Sequence, residues 1–93
     1  MTTSKQIREW FRRGVSDNQR WMVIICDTFD HEDFPSYFSD AEVKKCIMAI
    51  GDAQHGKNMQ QLMEVYDLSL PMDEQFVPGK ITMHLPVLED DEE

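Results

Sequence analysis

The sequence predicts an α+β fold, a short antiparallel sheet of three to four strands with two helices packed on one face, in the order α-β-β-α-β with room for a further strand. Three observations carry this reading. Residues Trp21 to Cys26 form an unbroken apolar run, rich in β-branched side chains and bounded by polar residues, as expected of a buried strand. Two Ser/Thr-x-x-Glu/Gln boxes, Thr3 with Gln6 and Ser39 with Glu42, each precede apolar residues at helical spacing. The stretch between the apolar run and Tyr37 is too short for a parallel crossover, so the first two strands must pair antiparallel.

The first helix starts at the Thr3 box. Ile7, Trp10 and Phe11 share one face, with Val15 at its margin, while Arg8, Arg12 and Arg13 fall elsewhere and Gly14 supplies a left-handed stop. After a polar connector, Arg20 to Cys26 is the first strand. Because it is apolar at consecutive positions, it must lie centrally or be covered on both faces. Asp27 to Pro35 turns the chain, and Ser36 to Phe38 forms a second strand with Pro35 confined to its start or to a sheet edge. From the Ser39 box, Val43, Cys46, Ile47 and Ile50 define a second helix that runs to Gly51. Asp52 to Asn58 has the composition of a loop.

Residues 59–70 carry two signals. Met59, Leu62, Met63 and Tyr66 suit a helix, whereas Leu62, Glu64, Tyr66, Leu68 and Leu70 include the alternation of a strand. A strand over Leu62 to Leu68 is preferred, since a sheet of two strands is marginal alone. Pro78-Gly79 reads as a turn, and Ile81, Met83 and Leu85 alternate with Thr82 and His84 as in a last edge strand. The domain therefore spans 1–88, followed by a disordered tail of five carboxylates at 89–93.

With 93 residues the chain has room for one domain and one modest core. Its 18 acidic residues against 9 Lys plus Arg give a formal charge of −9, which repels nucleic acid and favours a basic partner. The charge is uneven: residues 1–20 hold five basic and two acidic side chains, a balance of +3, which leaves −12 for residues 21–93. No apolar stretch approaches the roughly 20 residues needed to cross a bilayer. No signal-peptide core is evident, so the expected setting is the cytoplasm, with Cys26 and Cys46 as reduced core thiols.

The segment WMVIICDTFDHEDFP, Trp21 to Pro35, holds the candidate site. Asp27 ends a hydrophobic strand, where α/β phosphotransferases and nucleases place a metal-binding carboxylate. Yet DTFD lacks the alternating Asp-x-Asp of a phosphatase-like nucleophile. Asp27, Asp30, His31, Glu32 and Asp33 are metal-ligand types without the glycine and spacing of a calcium loop, and the three histidines have no zinc spacing. No metal or cofactor is expected. A P-loop, a GxGxxG fingerprint and a GxSxG elbow are missing as well. The stronger feature is electrostatic: acidic residues interleaved with Phe29, Phe34, Tyr37 and Phe38 suit a basic groove, the aromatics acting as anchors. The partner-binding set is Asp27, Asp30, Glu32, Asp33, Phe34 and Tyr37. The same composition also suits a merely soluble surface with the aromatics in the core.

At WMVIICDTFDHEDFP, with the earlier IREWFRRGV and the later NMQQLMEVYDLSL, the chain resembles a group of small proteins from phages, prophages and metagenomic DNA. The resemblance covers about residues 7–70. Some members look like candidate anti-CRISPR proteins, which are small, often acidic, and block effector complexes at basic nucleic-acid surfaces. It implies a non-catalytic inhibitor of a host CRISPR effector nuclease, acting in the bacterial cytoplasm through a basic protein surface rather than through nucleic acid or a membrane. Two other readings stay open: a small-molecule or nucleotide-handling protein built on Asp27, and a homodimeric accessory protein of phage assembly or lysogeny.

Overall fold

The computed structural model describes residues 3–76 and 81–86. The Pro78-Gly79 turn and the acidic tail lie outside these residues. The elements run α1 (Ser4–Ser16), β1 (Trp21–Asp27), β2 (Glu32–Phe38), a 3-10 turn at Asp40–Glu42, α2 (Val43–Gln54), a second 3-10 turn at Lys57–Met59, β3 (Gln60–Asp67) and the short α3 (Met72–Gln75). The predicted class and the order α-β-β-α-β are those of the molecule. The sheet is antiparallel with strand order β2-β1-β3, so the apolar run occupies its centre. β2 is an edge strand that begins at Glu32 rather than Ser36, and Pro35 sits within it opposite Ile24. An edge tolerates proline because no neighbour needs its missing N–H.

The helices lie on opposite faces of the sheet, not on one. Trp21, Val23, Ile25 and Val65 pack with Cys46, Ile50 and Ala53 of α2. Met22, Ile24, Tyr66 and Leu68 pack with Phe11 of α1, where Phe11 and Tyr66 meet edge to face at 6.1 Å. The reason is β1 itself. Successive strand residues face opposite ways, and leaving Met22 and Ile24 in water would forfeit about 1.5–3 kcal/mol each.

Both helix stops also fall later than the glycines suggest. Thr3 Oγ1 accepts the Gln6 N–H at 3.2 Å as expected, but α1 continues past Gly14. It ends where Asn18 takes the left-handed conformation (φ 59°), with Asn18 N–H donating to Val15 O and Gln19 N–H to Gly14 O, a Schellman closure. Gly14 serves a different purpose: a Cβ there would stand 2.6 Å from Leu68 Cδ1 and 2.8 Å from Tyr37 Cε1. Val15, at the margin of the apolar face, is exposed. The Ser39–Glu42 box forms, holding the Glu42 carboxyl below the usual range through the Ser39 backbone and hydroxyl donors. The helix then runs through Gly51 to Gln54, and Gly56 (φ 72°) supplies the reversal.

β3 explains the double signal of its sequence. Its register shifts between Ile24 and Ile25, which pair with Glu64 and Leu62, so Met63 is an extra residue. Leu62 packs on the α2 side and Met63 on the α1 side, after which Val65 and Tyr66 resume alternation. A bulge of this kind breaks the period of two and mimics helical spacing. The end of β3 is tied by Gln75, whose side chain accepts the Asp67 N–H at 2.7 Å and donates to Asp67 O at 2.6 Å. Asp67 in turn receives Arg20 Nε at 2.9 Å, and Arg20 also reaches Asp40 at 2.7 Å while lying over the Trp21 ring.

The last predicted strand is reduced to a single parallel bridge, Val65 with Met83. Its apolar residues do not face inward as expected: Ile81 is 72% exposed, Met83 and Leu85 are exposed too, and it is Thr82 that is buried, at 6%. Thr82 is drawn inward because its hydroxyl donates to Gln75 O at 2.6 Å and its N–H to Glu64 Oε2 at 3.2 Å.

Candidate docking surface at the hairpin end

The acidic segment forms the turn between β1 and β2 at one end of the sheet. Asp27 pairs with Glu32 across the hairpin, and its Oδ1 accepts the Phe29 N–H at 2.8 Å and, more weakly, the Asp30 N–H at 3.4 Å. A short polar side chain at a strand end closes a turn in this way, satisfying N–H groups that the ladder cannot reach. His31 completes the reversal in the left-handed region (φ 59°), donating its N–H to Asp27 O at 2.6 Å. The carboxylate considered for metal chemistry therefore holds the turn. Among the described residues, no three His, Cys, Asp or Glu side chains converge to hold a metal ion.

The second connection at this end, from α2 to β3, is fastened to the hairpin. Thr28 donates both its N–H (2.8 Å) and its hydroxyl (2.9 Å) to Met59 O. Met59 is itself left-handed (φ 59°), a conformation costly for a bulky residue, and its doubly bonded carbonyl helps hold it there. Phe29 is 71% exposed and Met59 54%, with Asp30, His31 and Glu32 exposed around the turn. Lys57, from the same connection, pairs with Asp52 at 3.7 Å.

Of the residues picked from the sequence, Asp27, Asp30 and Glu32 come together at the turn. Asp33 lies one step into β2, half-buried, opposite Cys26. Burial and then hydrogen bonding to Asp33 push the Cys26 thiol up, and burial alone pushes Cys46 up to about 12. Both sulfurs are thus held as thiols, the poorly nucleophilic form. Phe34 and Tyr37, of the same set, are half-buried. Phe34 packs against the α2-side core and Tyr37 against the α1-side core, where its hydroxyl donates to Trp10 O at 2.8 Å. The exposed aromatic of the segment is Phe29. Met59, beside the same turn, carries no local signal for that position, because 31 residues separate it from Thr28 in the chain. Among the described residues no helix is long and apolar enough to cross a membrane. Comparison with protein-family models, curated proteins and solved structures finds no match to this chain.

Proposed function

We infer that this chain is a non-catalytic binding protein that inhibits a CRISPR-type defence nuclease in the host cytoplasm by occupying its basic nucleic-acid-binding surface. The observation that carries the reading is the exposure of Asp30 and Glu32 around one tight turn, on a chain bearing −12 outside its first 20 residues. Carboxylates held on a short hairpin present charge where a phosphate backbone would otherwise sit, and complementary fields speed encounter with a basic groove. The choice of nuclease comes from the resemblance of residues 7–70 to small phage and prophage proteins. The non-catalytic part is supported by the use of Asp27 to close the turn and by the protonated thiols.

The test is competition with target DNA for a purified CRISPR effector–guide complex. Expected is an affinity that falls steeply as salt is raised, since exposed pairs are screened beyond about 8–10 Å near physiological ionic strength. Asp30→Asn with Glu32→Gln is expected to slow association more than it speeds dissociation. Binding indifferent both to salt and to these substitutions would remove the turn as the docking surface.

A further inference from the structure

Resting on the reading of the hairpin end as a docking surface, we propose that Phe29 and Met59 form its apolar centre and that the partner is a protein presenting an apolar pocket rimmed by Arg or Lys. Isolated exposed apolar residues are ordinary on a monomer. Here two large ones stand on separate connections that the Thr28–Met59 bonds fasten together, and carboxylates border them. This is the layout of an interface, apolar at the centre and polar at the rim. Because both backbones are already fixed, docking orders little more than the two side chains, which limits the entropic cost of association.

The surrounding charge selects the partner. Asp30 and Glu32 disfavour approach by nucleic acid or by an anionic lipid surface. They favour a cationic rim, and an Arg guanidinium can also lie over the exposed face of Phe29. A protein pocket with basic edges satisfies both the apolar centre and the acidic border.

The experiment uses the full 15N-labelled chain and two synthetic peptides of equal charge, polyarginine and an arginine peptide with interspersed leucines. The leucine-bearing peptide is expected to bind at least about tenfold more tightly, shifting amides of Thr28 to His31 and Met59. Phe29→Ser with Met59→Asn is expected to erase that advantage and leave the salt-dependent remainder. Asparagine keeps the left-handed backbone accessible, and an unchanged spectrum elsewhere verifies the fold. Equal affinity for the two peptides, an advantage that survives in the double variant, or shifts centred elsewhere would each overturn the proposal. So would a concentration-dependent dimer abolished by Phe29→Ser, which would assign the surface to a second copy of the chain. If Asp30→Asn with Glu32→Gln removes the salt dependence of peptide binding but keeps the leucine advantage, the apolar centre stands and the salt-dependent remainder is traced to these two carboxylates. If those variants change nothing while Phe29→Ser still weakens binding, the acidic reading fails alone.

Discussion

Replacing each helical glycine with alanine separates two roles that are indistinguishable in the sequence. In a helix interior, Gly→Ala is worth about 1 kcal/mol of stability through backbone entropy. At Gly51 a Cβ meets nothing within 4 Å, so Gly51→Ala is expected to stabilise by roughly 0.5–1 kcal/mol. For a domain of this size that raises the melting temperature by roughly 2–8 °C. At Gly14 the same gain is opposed by overlap with Leu68 at 2.6 Å and the Tyr37 ring at 2.8 and 3.0 Å. Carbon contacts relax near 3.5–4.0 Å, so α1 must retreat by about 1 Å. The Tyr37 ring cannot yield freely, because its hydroxyl is bonded to Trp10 O and the ring packs against the α1-side core. Overpacking costs about 1–3 kcal/mol and a lost hydrogen bond about 1 kcal/mol more, so against the helical gain of about 1 kcal/mol Gly14→Ala is expected to be net destabilising by about 1–3 kcal/mol. Thermal melts and urea titrations of the two variants, run side by side, decide the matter. A Gly14→Ala protein as stable as the parent would refute the close approach of α1 to the sheet, and a destabilised Gly51→Ala would mean that Gly51 stops the helix after all.

Three further outcomes concern the two sides of the core and its polar tie. Burial acts to raise the Asp67 pKa, but the Arg20 and Ser69 donors outweigh it and hold the carboxyl below its usual 3.8. Its contribution to stability is therefore present above the unfolded-state value and lost as pH falls through the lower folded value. Arg20→Ala should cost about 1.5–3 kcal/mol at neutral pH, and urea midpoints should show this gap shrinking below pH 3.8; a gap constant across that window would remove the ion pair as its cause. Ile24→Asp should abolish cooperative unfolding by burying an unpaired charge between β1 and α1, whereas Phe34→Ala, half-buried against the other core, should lower stability by about 2 kcal/mol and leave partner binding intact. Normal stability with weakened binding would return Phe34 to the docking surface.

Much of the architecture is dictated locally. The Thr3 cap and the Ser39 capping box satisfy N–H groups within four residues, and a six-residue apolar run rich in β-branched side chains and bounded by polar residues reads as a buried strand, so α1, α2 and β1 are legible from sequence. The hairpin follows too, since a short connection leaves β2 no choice but to pair antiparallel. The exposed carboxylates Asp30 and Glu32 belong to the same legible part, because a polar turn between paired strands projects into water. The remainder depends on contacts between distant segments. Gly14 and Gly51 look like helix stops, but only the packing of α1 on Leu68 and Tyr37 reveals that one makes room for the sheet and the other stands beside open space. The helices take opposite faces because both sets of β1 side chains need cover, which no single helix pattern specifies. The bulge at Met63 hides β3 behind a helical spacing until its register with Ile24 and Ile25 is known. Met59 is brought beside the hairpin turn by the pairing of Gln60 with Asp27 and by two hydrogen bonds from Thr28, contacts across some 31 residues of chain that no local spacing encodes.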